Sequence, residues 1–220
     1  MKRLIFLMSF TFLILQSCDD DDLCLRGGGT LETFTLNLDD FDRVELTGPV
    51  NLRITQGAEQ EVTVEAENEL FSAMDHEVKN GTLEIGFEGN VRCFETSHGV
   101  WVNITVPDLE RIKASGQGEI ISQGDIMLDR LEFNSSGSYN LSLSGEVDEM
   151  TVDVSGIIEA TNFDLITSKT FIDISGSADL EVNCTDVLDL KVSGSAVVKY
   201  KGSPQITQDI SGSLELLDRN

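Results

Sequence analysis

The dipeptide Ser-Gly recurs through the second half of the chain at a nearly constant interval. It stands at Ser115-Gly116, Ser136-Gly137, Ser155-Gly156, Ser175-Gly176, Ser193-Gly194 and Ser211-Gly212, so that successive glycines are 18 to 21 residues apart. Self-similarity at such a period is typical of chains that stack one structural unit on the next. The repeat therefore restricts the chain to a small set of architectures.

The residues on both sides of each Ser-Gly pair alternate between apolar and polar. Apolar side chains dominate at two and four residues before the glycine and at two and four residues after it. The residue three before the glycine is polar in all six repeats: Lys113, Asn134, Asp153, Asp173, Lys191 and Asp209. Period-two alternation indicates short strands with one buried and one exposed face.

One corner motif per repeat favours a parallel β-helix over an antiparallel meander, which needs turn signals at shorter intervals. We predict an all-β solenoid with 18 to 21 residues per coil. Equal positions then stack about 4.8 Å apart along the axis. The Ser-Gly pairs form a column in which glycine permits close backbone approach or a positive φ, and serine bonds to the turn backbone.

The first half of the chain carries the same pattern once, around Thr47-Gly48. We therefore predict a solenoid domain over residues 41–220, preceded by a lead-in over residues 18–40. Within it, residues 67–74 have helical character, and Asn80-Gly81 is a strong two-residue turn signal. Residues 88–99 are expected to form an irregular loop before a strand that starts at Val100.

The N-terminus has the layout of a secretion signal. Lys2 and Arg3 precede an apolar run that is too short to remain as a membrane span. The string Leu15-Gln16-Ser17-Cys18 resembles the lipobox of bacterial lipoproteins, which implies removal of residues 1–17 and acylation of Cys18. The alternative is an ordinary secretory signal. Its cleavage site favours small residues at both flanking positions, and Gln16 fits that pattern poorly. Several acyl chains would make a stable membrane anchor.

Four aspartates, Asp19 to Asp22, follow the lipobox cysteine. They resemble the signal that exports some lipoproteins to the outer face of the outer membrane, so we expect a surface-exposed protein. A solvated tether on a periplasm-facing lipoprotein is the alternative. The chain has 39 acidic against 15 basic residues, a formal net charge of -24, which excludes nucleic-acid binding by phosphate neutralisation.

Three further cysteines lie in the predicted mature chain, and an oxidising compartment allows at most one intramolecular disulfide among them. We predict that Cys24 pairs with Cys93. Cys184 belongs to an alternating strand and is expected to be a small buried hydrophobe.

The sequence offers few groups for chemistry. His76 and His98 are the only histidines, and neither lies in a catalytic or metal-binding motif. We therefore expect no catalytic residue, no metal site and no cofactor. Asp153 stacked on Asp173 is either a cation site or a pair of solvated carboxylates.

Two aromatic residues are candidate ligand contacts, Trp101 and Tyr139. Trp101 alternates with inward-facing valines, so it lies either on an exposed face or under the 88–99 loop. An exposed tryptophan indicates contact with a partner.

Several short motifs occur in the order found in one known family. They are Phe41-Asp42-Arg43-Val44-Glu45-Leu46-Thr47-Gly48, Gln56-Gly57, Asn80-Gly81-Thr82-Leu83-Glu84-Ile85, and Val106-Pro107-Asp108-Leu109-Glu110-Arg111-Ile112 before Ala114-Ser115-Gly116. The chain resembles the putative auto-transporter adhesin, head GIN domain family over roughly residues 40–218. The resemblance implies a β-helix-like fold and lipid-anchored envelope proteins, and it brings no catalytic residue.

These observations predict an outer-membrane lipoprotein that acts by adhesin-like binding or structural contact with a glycan or protein. The alternative is a polysaccharide lyase or hydrolase, because β-solenoids also host such enzymes. The final coil has no polar cap, so we further expect association between copies through the solenoid ends or a cap donated by the N-terminal segment.

Overall fold

A computed structural model describes residues 24–87 and 93–220, and it is nearly all β, with 72% strand and 2% helix. The elements in chain order are β1 (Cys24–Arg26), β2 (Leu31–Leu36), β3 (Arg43–Pro49), β4 (Asn51–Gln56), β5 (Glu61–Glu67), α1 (Asn68–Phe71), β6 (Asp75–Lys79), β7 (Thr82–Gly86), β8 (Cys93–Glu95), β9 (Trp101–Val106), β10 (Arg111–Ser122), β11 (Ile126–Ser135), β12 (Ser138–Ser142), β13 (Gly145–Val154), β14 (Ile157–Ile174), β15 (Ser177–Val192), β16 (Ser195–Lys201), β17 (Gln205–Ile210) and β18 (Ser213–Asp218).

The strands wind into a β-solenoid of about five turns, which confirms the predicted architecture. From β10 to β16 each strand pairs in parallel with strands of the coils before and after it, as β13, β14 and β15 illustrate. The register keeps the repeats aligned, since Asp153 pairs with Asp173 and Asp173 with Lys191. Stacked coils share their backbone hydrogen bonds along the axis, so each coil is held by its two neighbours.

The core is the stack of inward-facing apolar positions that the alternation predicts. One such position contains Ile112, Phe133, Val152, Ile172 and Leu190, each at most 7% exposed. Burial of a side chain of this size stabilises a fold by about 1.5–3 kcal/mol. The outward-facing residues between them are half-buried or exposed. The interior therefore excludes solvent, and the outer faces contact it.

The glycines of the Ser-Gly pairs stack backbone against backbone. A Cβ on Gly137, Gly156 or Gly176 would lie 1.9–2.0 Å from the carbonyl oxygen of the glycine one coil earlier. A positive φ adds a second requirement at Gly48 (+83°) and Gly116 (+136°). Close approach is therefore the reason for glycine through most of the column, and any side chain there would separate two coils.

The N-terminal end departs from the simple coil pattern by adding antiparallel strands. Strand β5 pairs antiparallel with β9, β2 with β5, and β6 with β7. The β6–β7 hairpin turns at Asn80 (φ 51°) and Gly81 (φ 75°), as the turn signal predicts. The short helix is also confirmed, although α1 covers only Asn68–Phe71 of the expected residues 67–74.

Two short strands occupy segments that were expected to be irregular. Strand β1 pairs in parallel with β8, inside the lead-in and the 88–99 loop respectively. Parallel pairing of two three-residue strands gives the chain near Cys24 a fixed position beside the solenoid. The sequence does not predict this strand pair, because three residues are too few to show apolar and polar alternation.

The two ends of the 16-stranded sheet are formed by different parts of the chain. Strand β18 is at one end and β2 at the other. The described N-terminal residues therefore do not cover the last coil, and the expectation that they cap it is wrong for this part of the chain. No helix among residues 24–87 and 93–220 is long and apolar enough to cross a membrane.

Candidate functional site

Seven outward-facing residues form one polar row along the solenoid, which we call the ladder. They are the residues three before each corner glycine, and consecutive members are register partners: Glu45, Lys113, Asn134, Asp153, Asp173, Lys191 and Asp209. The mixed charges predicted for an outer face are thus brought side by side. Neighbours lie about one strand spacing, ~4.8 Å, apart.

The corner serines form a second row beside the ladder. Their hydroxyls donate to backbone carbonyls of the preceding coil: Ser115 to Leu46 at 3.2 Å, and Ser155, Ser175 and Ser193 at 3.5 Å to Ser135, Val154 and Ile174. The serines therefore bond to the backbone, as expected, but to the preceding coil rather than within their own turn. Each of these bonds joins two coils at a corner.

A polar groove of about 350 Å³ lies between the two rows. It spans four coils, and the side chains on its wall are Lys113, Asn134, Asp153, Asp173, Ser136, Ser155 and Ser175. The ladder residues lie on β-strands, and the serines lie in the corner bends that directly follow these strands. A groove of this volume accommodates a small ligand or a segment of a polymer.

The charges at the two ends of the groove are already paired. The Lys113 ammonium donates to Glu45 at 2.7 Å, and the Lys191 ammonium donates to Asp173 at 2.5 Å. Asp153 stands between them and has neither an ion pair nor a hydrogen bond with its side chain among the described residues. Burial raises the pKa of Asp153, the charges of Asp173 and Glu132 add to this, and Lys191 opposes it.

Asp153 and Asp173 are register partners in adjacent coils, as predicted. The cation site itself stays a prediction. No group of three or more His, Cys, Asp or Glu side chains suited to a metal ion occurs in the described ranges.

A second space lies inside the solenoid, among apolar side chains and the buried Asn162, Thr167 and Thr170. Its volume of about 30 Å³ holds one or two water molecules and no larger ligand. The outer groove is therefore the better candidate site.

Trp101 is half-buried on the outer face of β9, at the N-terminal end of the solenoid. The Arg53 guanidinium lies 3.7 Å from the ring centroid of Trp101. Arg53 is itself held by Glu65 and Asn103, each at 3.0 Å. One face of the ring is thus already covered by a cation, which is a recognised stabilising contact. Its role as a ligand contact stays a prediction.

Tyr139 is buried inside the solenoid, with 2% of its surface exposed, and its hydroxyl donates to the carbonyl of Gly48 at 3.4 Å. Burial raises the pKa of Tyr139 to about 12. The prediction that Tyr139 contacts a ligand is therefore wrong. Its position two residues after Gly137 faces inward in every coil, as Ile158 and Ala178 do in theirs.

Cys24 and Cys93 are register partners in the β1–β8 pair. Neighbouring strands are about 4.8 Å apart, within the Cα separation that a disulfide spans. The register suits the predicted bond, which stays a prediction. Cys184 is fully buried, as expected. Cys18, the predicted lipidation site, lies outside the described residues.

Sequence reasoning missed the groove and the Arg53–Trp101 contact. Both features depend on which residues lie side by side in neighbouring strands. The groove lies between two rows at a bend, and the contact joins the parallel strands β4 and β9. The alternation of apolar and polar residues identifies which side chains face outward. It does not identify which outward residues are neighbours across strands, so it predicts neither feature.

Residues 40–204 match the family described as putative auto-transporter adhesin, head GIN domain. The chain belongs to this family. Among curated proteins, none matches the chain. A solved structure of a putative adhesin from Bacteroides fragilis NCTC 9343 is similar, with a TM-score of 0.67, 19% identity, and coverage of 88% of this chain and 97% of that one.

A second similar structure is a putative lipid binding protein from Parabacteroides distasonis ATCC 8503. It has a TM-score of 0.52 and 20% identity, and the match covers 89% of this chain and 99% of that one. At these identities the likeness shows a common fold and nothing about a shared ligand.

Proposed function

We propose that the protein is a lipid-anchored outer-membrane protein, exposed at the cell surface, that binds a polar ligand without catalysis. The observation that carries this proposal is the open groove of about 350 Å³ between the ladder and the corner serines. Its polar groups repeat from coil to coil on strand ends and corner bends, which suits recognition of an extended ligand. Adhesin-like binding is also the activity that the family description suggests.

The N-terminal sequence supports the proposed lipid anchor and the proposed surface location. A short signal ending in Leu15-Gln16-Ser17-Cys18 predicts acylation of Cys18, and Asp19 to Asp22 predict export to the outer face. Acyl chains on Cys18 are then the contact with the membrane, since more than one chain is needed for stable anchoring. The glycan or protein bound by the groove is the second partner.

Binding is tested with the full chain on an array of glycans. Asn134→Trp places a large ring in the groove and is expected to abolish binding. Asn140→Trp is the matched control, because Asn140 is an exposed residue of β12 outside the groove. Equal loss in both variants, or binding that survives Asn134→Trp, would refute the groove as the site. Trp101→Ala shows whether the N-terminal face contributes.

Two assays in cells test the anchor and the location. Incorporation of labelled fatty acid tests the lipid anchor, and protease access to the protein on intact cells tests its surface location. Cys18→Ala is expected to abolish labelling. Replacing Asp19 to Asp22 with alanine is expected to retain labelling and to remove surface access. A labelled Cys18→Ala variant would contradict the anchor, and unchanged protease access in the aspartate variant would contradict the export signal.

A polysaccharide-cleaving enzyme is the second candidate, and one observation favours it. The groove contains two neighbouring carboxylates and Lys113, and the pKa of Asp153 is raised by burial and by Asp173. A raised carboxyl pKa is a property of general acids in glycosidases. Release of new reducing ends from a bound polysaccharide, abolished by Asp153→Asn, would establish this candidate over non-catalytic binding.

A further inference from the structure

Part of the hydrogen-bonding capacity of the groove wall is used within the protein. The hydroxyls of Ser155 and Ser175 donate to backbone carbonyls of the preceding coil. The amide nitrogen of Asn134 donates to Glu132 at 2.9 Å, and the Lys113 ammonium donates to Glu45 at 2.7 Å. Ser136 makes no side-chain bond that appears among the described residues, so its hydroxyl remains able to donate or accept.

The acceptors on the same wall remain available. The carboxylate of Asp153 has no side-chain partner in the described part of the chain, and the carbonyl oxygen of Asn134 is turned from the donating nitrogen. The serine oxygens retain lone pairs after donating their protons. The groove therefore offers acceptors at successive coils and also a few donors, since the Lys113 ammonium keeps two N–H groups and the Asn134 amide keeps one. A ligand whose groups can both donate and accept suits this wall.

The charge of the groove wall disfavours an anionic ligand. Lys113 pairs with Glu45 and Lys191 with Asp173, whereas Asp153 has no ion pair within the described residues. The formal net charge of the chain is -24. An anionic ligand in this groove would lie beside the carboxylates of Asp153 and Asp173 and would compete with Glu45 for Lys113, which costs binding energy.

On the basis of the proposed function, we propose that the groove binds an extended polysaccharide along the solenoid axis, that its sugars are neutral or carry amino groups, and that uronic-acid polymers are excluded. Sugar hydroxyls rotate, so each can donate to an acceptor or accept from a donor of the wall. An extended peptide is less suited, because its N–H groups can only donate and its carbonyl groups can only accept. An ammonium group opposite Asp153 gains a charge-assisted bond.

Three soluble oligosaccharides of similar length test the inference by titration calorimetry with the full chain: a neutral cello-oligosaccharide, a chitosan oligosaccharide and an oligogalacturonate. We expect the first two to bind, the chitosan oligosaccharide more tightly, and the oligogalacturonate to show no binding. Asp153→Asn is expected to weaken chitosan binding about tenfold and to leave the neutral ligand nearly unchanged.

Asp129→Asn is the matched control, because Asp129 is an exposed carboxylate of β11 outside the groove. Circular dichroism of both variants verifies that each is folded. Oligogalacturonate binding equal to that of the neutral ligand would overturn the inference while leaving a groove-binding function intact. Failure of both the neutral and the amino oligosaccharide would also overturn it, and the separate comparison of Asn134→Trp with Asn140→Trp on the glycan array decides the proposed function.

Discussion

The Gly156→Ala substitution is a direct test of the backbone stacking at the corners. Its new methyl carbon would lie 1.9 Å from the carbonyl oxygen of Gly137, whereas real contacts of this kind are longer than 3.0 Å. The obstruction is backbone, so no side chain can rotate away. The two coils must therefore separate by about 1 Å at this corner, which disturbs a closely packed interior.

The size of the effect follows from what this separation disrupts. Overpacking of a core typically costs about 1–3 kcal/mol. The nearest backbone bond, from the Ile157 N–H to the Gly137 carbonyl at 2.8 Å, would lengthen, and an unsatisfied buried group costs about 1–3 kcal/mol. We expect Gly156→Ala to lower the free energy of unfolding by about 2–6 kcal/mol, a large part of the stability of a domain.

Urea unfolding followed by far-UV circular dichroism measures this loss. Gly28→Ala is the control, because no heavy atom in the described residues, its chain neighbours apart, comes within 4 Å of a methyl group there. Its unfolding free energy is expected to stay within about 0.5 kcal/mol of the parent value. If Gly156→Ala changed stability as little as Gly28→Ala, the coils would not be in backbone contact at the corner and the reasoning would be wrong.

Three further predictions concern single side chains. The buried hydroxyl of Ser135 has no hydrogen-bond partner in residues 24–87 and 93–220, so Ser135→Ala is expected to raise the urea unfolding free energy by about 1 kcal/mol, and a loss of stability would contradict this. Arg53→Ala uncovers the single tryptophan, Trp101, and is expected to shift its fluorescence to longer wavelength, whereas Lys201→Ala, whose ammonium lies over a phenylalanine ring, should leave it unchanged. Because the folded-state pKa of Asp153 is raised, its ionised form costs stability at neutral pH. Asp153→Asn should therefore stabilise the protein at about pH 7, and the gain should vanish at about pH 3, where the carboxyl is protonated in both states; a gain that persists in acid would show a cause other than charge.

The regular coils were predictable because their structure depends on local signals that repeat. The Ser-Gly spacing defines the coil length, and the polar residue three before each glycine defines the outward row, so the pairing of Asp153 with Asp173 follows from sequence alone. Tyr139 shows that an aromatic residue must be assigned by its offset. Its place two residues after Gly137 marks it as buried, whatever its chemical suitability as a ligand contact.

The N-terminal end was less predictable for a physical reason. Alternating residues are equally compatible with parallel and antiparallel neighbours, so the pattern at Val62 and Val64 indicates a strand and leaves its direction open. The groove has the same difficulty. Its shape depends on the angle of the chain at each corner, and no residue type reports that angle.

The contact between corner glycines bears on how such proteins change in evolution. Because strand pairing joins a coil to the coils directly before and after it, residues 157–176 form a unit that can be duplicated or deleted with its pairing edges intact. Each duplication would add one more serine and one more ladder residue to the outer face. Homologous chains of different length can therefore differ in the length of the surface that we propose for binding.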